Sequence, residues 1–165
     1  MSMGAAVAIQ FAIDFPEKLS VLILMNPGPG SLFSKGFVFV RPILSFVARK
    51  KYVLRPFLTS ALINPLPQSL LETFVEDAAL VSKKIWLQYL HPDNKIQNFN
   101  RLSRLTIPVL VLIGGKDKAV PMAFQDKVAD VIPRAVKIVL GDEGHAMVME
   151  NPHRVLSEIH SFLKV

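Results

Sequence analysis

The chain has no cysteine. Disulfides and thiolate metal sites are therefore excluded, and the composition fits a reducing compartment. Long apolar runs are also missing. A membrane span needs about 18 uncharged residues, and the nearest candidate, residues 32–48, is broken by Lys35, Arg41 and Pro42. Residues 4–13 are apolar, but no basic segment precedes them and Asp14 follows, so no signal peptide is expected and a cytoplasmic location is. Acidic residues are scarce in the middle of the chain. Residues 28–104 hold 4 Asp/Glu against 11 Lys/Arg, whereas the remainder holds 9 against 8, so the net charge of +6 arises entirely in the middle. Nucleic-acid binders can look like this. Here the basic residues lie among Phe, Leu and Val with no nucleic-acid motif, so no nucleic-acid partner is expected. Phe-rich helices beside Arg49-Lys50-Lys51 could dock on an anionic membrane. A solvated basic rim over a substrate pocket is the favoured reading.

What is present suits one domain: 165 residues, 51% of them hydrophobic. Val7, Ala8, Phe11 and Ala12 have helical spacing, and Phe15-Pro16 ends that run, which predicts a buried helix over 4–14. Val21-Leu22-Ile23-Leu24-Met25 is a continuous apolar run suited to a strand buried on both faces. Asn26-Pro27-Gly28-Pro29-Gly30 breaks it. Residues 31–104 show no strand period. They read as short amphipathic helices punctuated by Pro42, Pro56, Pro65, Pro67 and Pro92, with Phe33, Phe37, Phe39, Ile43, Leu44, Phe46 and Val47 more apolar than a surface requires. Ile107–Ile113 is a second buried strand, closed by Gly114-Gly115. A helix over 122–132 places Phe124, Val128 and Val131 on one side. Ala135–Leu140 is a third strand, ended by Gly141-Asp142-Glu143-Gly144. Asn151 as N-cap and Pro152 at the first helical position open a last helix, with Val155, Ile159, Phe162 and Leu163 facing inward. The order is that of an α/β fold with a parallel sheet and right-handed crossovers.

Active sites in such sheets lie beyond the carboxyl ends of the strands. Three reactive side chains fall there. Ser2 stands in Met1-Ser2-Met3-Gly4-Ala5-Ala6, where Gly4 and the alanines suit a tight turn into a helix packed close to a sheet. Asp117 follows the second strand and His145 the third. A serine hydroxyl needs an adjacent base, histidine titrates in the right range, and a carboxylate on the far ring nitrogen fixes the tautomer. Each has a plainer alternative: Ser2 as a helix N-cap, Asp117 as a turn residue before Pro121, His145 as a backbone-bonded loop histidine. His91, His153 and His160 read as structural. Type, chain order and strand-end position coincide for Ser2, Asp117 and His145 together.

At these residues the chain resembles the α/β-hydrolase family. The matching pieces are Ser2-Met3-Gly4-Ala5-Ala6, the strand with Gly-Gly-x-Asp-x-x-Val-Pro at 114–121, and Gly144-His145 followed by Glu150-Asn151-Pro152. The resemblance implies a nucleophile elbow at Ser2, the order Ser, Asp, His, and an oxyanion-hole N–H at Met3. It divides the chain into hydrolase core (1–27), helical cap (28–104) and hydrolase core (105–165). It also implies that the leading Gly of the elbow and the strands before it are absent. The expected fold is thus a partial α/β-hydrolase fold, a three-stranded parallel sheet with flanking helices and a helical cap insertion. A start inside a longer hydrolase, an apolar sheet edge exposed at 20–26 and an incomplete oxyanion hole are expected with it. The function expected is cleavage of an ester or related acyl bond of a small apolar substrate, with no cofactor or metal, and poor activity from the chain alone. The alternative is a non-catalytic binding or partner subunit, self-associating or pairing with an N-terminal complementing chain through the open edge.

Overall fold

The computed structural model describes residues 1–29, 39, 41–89, 91 and 96–164. Phe33, Lys35, Phe37 and Pro92, which entered the reading of the middle segment, lie outside the described residues, as does the side chain of Leu44. Helix α1 (Met3–Asp14) leads through a 3-10 turn (Pro16–Lys18) to strand β1 (Leu22–Met25). Helices α2 (Arg41–Val47), α3 (Lys51–Ser60), α4 (Gln68–Leu80) and α5 (Lys83–Tyr89) follow. A 3-10 turn (Phe99–Arg104), β2 (Val109–Gly114), α6 (Met122–Val131), β3 (Ala135–Leu140), α7 (Met147–Glu150) and α8 (Pro152–Leu163) complete the chain. Two compact units result, residues 1–30 with 96–165, and residues 31–95. Residues 96–104, grouped by composition with the middle of the chain, belong to the first unit, because Leu102 is fully buried in its core.

In the first unit the three strands form one parallel sheet in the order β1-β2-β3, with Leu22 opposite Val109 and Val109 opposite Ala135. Successive side chains of a strand point to opposite faces. Accordingly Leu22, Leu24, Val109, Val111 and Ile113 join one core with α1, the Phe99–Arg104 turn and α6. Leu110, Leu112 and Leu140 join a second with Met147 and Val155, against which Ile23, Met25, Ile159 and Phe162 pack. The central strand is buried along its whole length, as its unbroken aliphatic sequence requires. Strand β3 lies at an edge, and Val136 and Val139 are exposed there. Among the described residues the outer side of β1 is met only by a single parallel bridge from Ser2 to Pro27.

Two helix faces differ from expectation. In α1 the inward stripe is Ala5, Ile9, Ala12 and Ile13, while Val7 and Phe11 are 65% and 44% exposed. Apolar residues surround this helix, so spacing alone did not say which stripe meets β1. The small side chains and isoleucines took it. In α8, Val155, Ile159 and Phe162 pack inward, but Leu163 is half exposed in the final turn, past the end of the sheet's cover. The Asn151 cap is as expected: its side chain accepts the Arg154 N–H at 3.3 Å with Pro152 in the first turn.

The second unit consists of α2 to α5. α3 packs on α4 and α2 on α5. Leu54 and Val75 are its buried apolar side chains on α3 and α4, and an exposed Lys51–Glu76 ion pair of 3.0 Å links those helices. Pro56 sits inside α3.

Candidate active site

Three strand ends supply the site. β1 ends at Met25, and the main-chain N–H of Ser2 donates to Met25 O at 3.0 Å. The carbonyl of Ser2 accepts from Ala5 and Ala6 N–H at 3.0 and 3.2 Å, so the chain turns at once into α1. Ser2 takes φ 52° and ψ −124°, a positive φ in a non-glycine residue. Such strain costs of order 1–3 kcal/mol and persists only where its surroundings hold it. Although Ser2 stands at the N-cap position, its hydroxyl makes no capping hydrogen bond. The N-cap alternative for this serine therefore lacks its defining contact, and the hydroxyl is left available. Met3 opens the helix, where its N–H has no intrahelical acceptor. The glycine requirement expected at position 4 is not where the structure puts it, since a Cβ on Gly4 would meet nothing within 4 Å. The tight geometry lies in Ser2 itself.

Past β2, the Gly115 N–H donates to Leu140 O at 2.8 Å and the Lys116 N–H to Glu143 O at 2.9 Å, so the loops after β2 and β3 run together. Asp117 hangs from this pair of loops with its side chain 1% exposed. Its Oδ1 accepts from Ala119 N–H (2.7 Å) and Val120 N–H (3.1 Å), and its Oδ2 from Gln125 Nε2 (3.1 Å). His145 Nδ1 lies 2.9 Å from the same Oδ2. Burial alone would raise the Asp117 carboxyl. The hydrogen bond with His145, the Val120 N–H, the charge of His145 and the Ala119 N–H outweigh it and hold the group below the usual carboxylate range. An ionised carboxylate only accepts, so the proton between them belongs to Nδ1 of His145. In the neutral form of that imidazole the lone pair is on Nε2. The imidazole is 13% exposed, enough to meet a small molecule.

The structure thus brings Asp117 and His145 into direct contact. Between the Ser2 hydroxyl and His145 it has no hydrogen bond among the described residues. Gly28 nevertheless lies close both to Ser2 and to the Asp117 loop. A Cβ added to Gly28 would lie 3.9 Å from the Ser2 carbonyl carbon and 3.6 Å from Val120 Cγ2, on the Asp117 loop. His153 and His160 are exposed on α8. No cluster of three or more His, Cys, Asp or Glu suited to a metal exists among the described residues. Two contributors were not anticipated. Gln125 is fully buried and donates to Asp117 and to Val120 O (3.1 Å). A polar residue on the stripe of Val128 and Ala129 was the legible signal for it. Asn26 is also fully buried, and was read only as a strand breaker.

Comparison with known proteins identifies the family of the chain. The Alpha/beta hydrolase family matches residues 1–158. The pimeloyl-[acyl-carrier protein] methyl ester esterase of Aliivibrio fischeri is 24% identical over 173 residues, covering 98% of this chain and 67% of that protein. The 2-hydroxy-6-oxononadienedioate/2-hydroxy-6-oxononatrienedioate hydrolase of Burkholderia vietnamiensis is 25% identical, covering 99% and 60%. The esterase EaEST of Exiguobacterium antarcticum superposes with a TM-score of 0.84 at 19% identity over the whole chain and 65% of that structure, a likeness of fold. The chain spans between half and two thirds of the length of the curated relatives it matches, which are named as esterases, lipases and hydrolases. By the match over nearly its full length and by its parallel sheet, the chain belongs to the α/β-hydrolase family.

Proposed function

We propose that this chain carries the catalytic triad of a serine hydrolase that cleaves an ester or related acyl bond of a small apolar substrate. Ser2 Oγ attacks the carbonyl carbon and its proton passes to His145 Nε2. Asp117 holds the imidazole in the Nδ1–H tautomer and stabilises the imidazolium. The Met3 N–H donates to the oxyanion. Collapse of the tetrahedral intermediate breaks the acyl bond and the leaving group takes the proton from His145. A water, deprotonated by His145, then frees the acyl group from Ser2. No cofactor or metal enters these steps. The observations that carry the reading are the 2.9 Å Asp117–His145 contact at two adjacent strand ends and a strained serine, bonded to the end of β1, whose hydroxyl caps nothing. The ester bond is favoured by the esterase and lipase names of relatives. A relative named as a 2-hydroxy-6-oxononadienedioate/2-hydroxy-6-oxononatrienedioate hydrolase is not an esterase by name, and a carbon–carbon bond is kept as the alternative on the same site. The apolar composition of residues 31–104 is the sequence feature in favour of an apolar substrate. Covalent labelling with a fluorophosphonate tests the assignment: the chain is labelled and Ser2→Ala is not. Equal labelling of both refutes the nucleophile.

One observation favours a second reading. Among the described residues the outer side of β1 is unpaired beyond the Ser2–Pro27 bridge, and one N–H alone is assigned to the oxyanion. A binding or partner subunit on this scaffold, associating through that edge with a second copy or a complementing strand-bearing chain, accounts for both. On either reading, turnover by these 165 residues alone is weak. Saturable hydrolysis of a chromogenic ester by the pure chain excludes the non-catalytic reading. A folded monomer by sizing excludes self-association.

A further inference from the structure

The geometry points to Asn26 as the positioning residue of this site, a buried amide that fixes the His145 loop to the ends of β1 and β2. The inference rests on the hydrolase reading for its consequence, but on geometry for its substance. The Asn26 main-chain N–H donates to Leu112 O at 2.9 Å, the last regular rung between β1 and β2. In a continued parallel ladder the next rung would run from Gly114 N–H to the main-chain carbonyl of residue 26. Asn26 has φ 44°, and that turn takes its carbonyl out of the ladder. Its side-chain Oδ1 accepts the Gly114 N–H instead, at 2.7 Å. The side chain thus supplies the rung the backbone gave up. Asparagine tolerates this conformation better than most residues.

The other end of the amide reaches the loop after β3. Nδ2 donates to Gly144 O at 2.9 Å and to His145 O at 2.8 Å. An amide has two N–H donors at one end and an acceptor at the other. All three bonds are therefore satisfied in one orientation only, with oxygen towards Gly114 and nitrogen towards the His145 loop. Asn26 is fully buried, so none of these groups has water as a replacement. Its chain neighbours Met25 and Pro27 are the residues that hold Ser2. One side chain accordingly couples the serine turn to the histidine loop, which matters because no hydrogen bond joins the Ser2 hydroxyl to the imidazole directly. Aspartate, though the same shape, would turn an oxygen against two carbonyls. Glycine keeps the positive φ without strain and deletes only the amide.

Three measurements test this. In the wild-type chain the Gly114 amide exchanges with deuterium as slowly as Leu112, although its acceptor is a side chain. Exchange as fast as the loop amides overturns the inference, and this reading stands even if variants fail to fold. In Asn26→Gly, checked for fold by circular dichroism, the Nδ1 proton of His145 loses its carboxylate-bonded chemical shift. Fluorophosphonate labelling of Ser2, per folded molecule, slows by about 10-fold or more, and Asn26→Asp by more again. A merely structural asparagine would lower the melting temperature and leave both readouts at wild-type values, and that result overturns the proposal. If the wild-type chain takes no label, the hydrolase reading fails, while the exchange and ring-proton measurements still decide on Asn26.

Discussion

Gly114→Ala is a substitution whose cost follows directly from the main chain around it. A Cβ at that position would fall 2.8 Å from Glu143 O and closer still to Gly144 O. Carbon and carbonyl oxygen come to rest near 3.3 Å at closest, so the loop after β3 must retreat by roughly 0.5 Å or more. The obstruction is main chain, not the end of a flexible side chain, so rotamer changes cannot relieve it. Overpacking of this kind costs about 1–3 kcal/mol. For a domain of this size that is a fall in Tm of roughly 2–12 °C, at about 2–4 °C per kcal/mol. The same loop carries His145. A displacement approaching 1 Å at a reacting group costs on the order of 100-fold, so Ser2 labelling by a fluorophosphonate should slow by about 10- to 100-fold. Thermal melting and labelling rate, measured on one preparation, give both numbers. A variant that melts within about 1 °C of wild type and is labelled at the wild-type rate refutes the claim that backbone proximity at Gly114 sets the histidine loop.

Gly4→Ala is the contrasting case: nothing lies within 4 Å of the added methyl, so a helical alanine should stabilise the chain by up to about 1 kcal/mol in denaturant titration. Ile9→Ala removes a fully buried side chain between α1 and the sheet and should cost about 2–5 kcal/mol by the same measurement. Asp117→Asn should lower the rate of ester cleavage or serine labelling by about 10⁴-fold if the imidazole loses its Nδ1–H tautomer. A loss below 10-fold would show that Asp117 does not orient His145. The Asp117 carboxyl is depressed in the folded chain, so its contribution to stability is complete above the usual carboxylate range and disappears as pH falls through the folded value. The difference in Tm between wild type and Asp117→Asn should therefore shrink between about pH 5 and pH 2. A difference independent of pH would contradict the assigned shift.

The sequence shows its sheet plainly and its clamps hardly at all. The aliphatic runs 21–25 and 107–113, ended by asparagine and glycine, mark strands because few other elements bury so many consecutive residues, and the third run, 135–140, is β-branched around Lys137 as an edge strand allows. Asp117 and His145 were legible as candidates because they follow two of those ends, and Ser2 because Gly4 and the alanines after it suit a tight turn into a helix. The inward stripe of α1 was not, since Val7, Phe11, Ile9 and Ile13 are equally apolar and only packing against β1 chooses between them. Asn26 was hidden for another reason. A strand-ending asparagine is ordinary turn chemistry, and its bonds run to residues about 90 and 120 positions away. Gln125 lay between these cases. Its place on an apolar stripe announced a buried polar group without naming Asp117 as its partner.

The serine turn raises a question of support that the core answers. Its strain, of order 1–3 kcal/mol, cannot be carried by the single Ser2–Met25 hydrogen bond, whose net contribution is about 1 kcal/mol. The other restraint is α1, whose first turn takes the Ser2 carbonyl through Ala5 and Ala6. Ile9 and Ile13 of that helix are buried in the core it shares with β1 and the Phe99–Arg104 turn, at about 1.5–3 kcal/mol each. Together they exceed the strain, so the conformation of Ser2 is imposed from the far side of the helix by hydrophobic packing. The Asp117–His145 pair is held differently, by main-chain bonds between two loops and by buried amides. Damage to the α1 core should therefore loosen the serine before it disturbs the imidazole. In Ile9→Ala the labelling rate should fall while the His145 Nδ1 proton keeps its shift, and loss of both together would mean that the two halves of the site share one support.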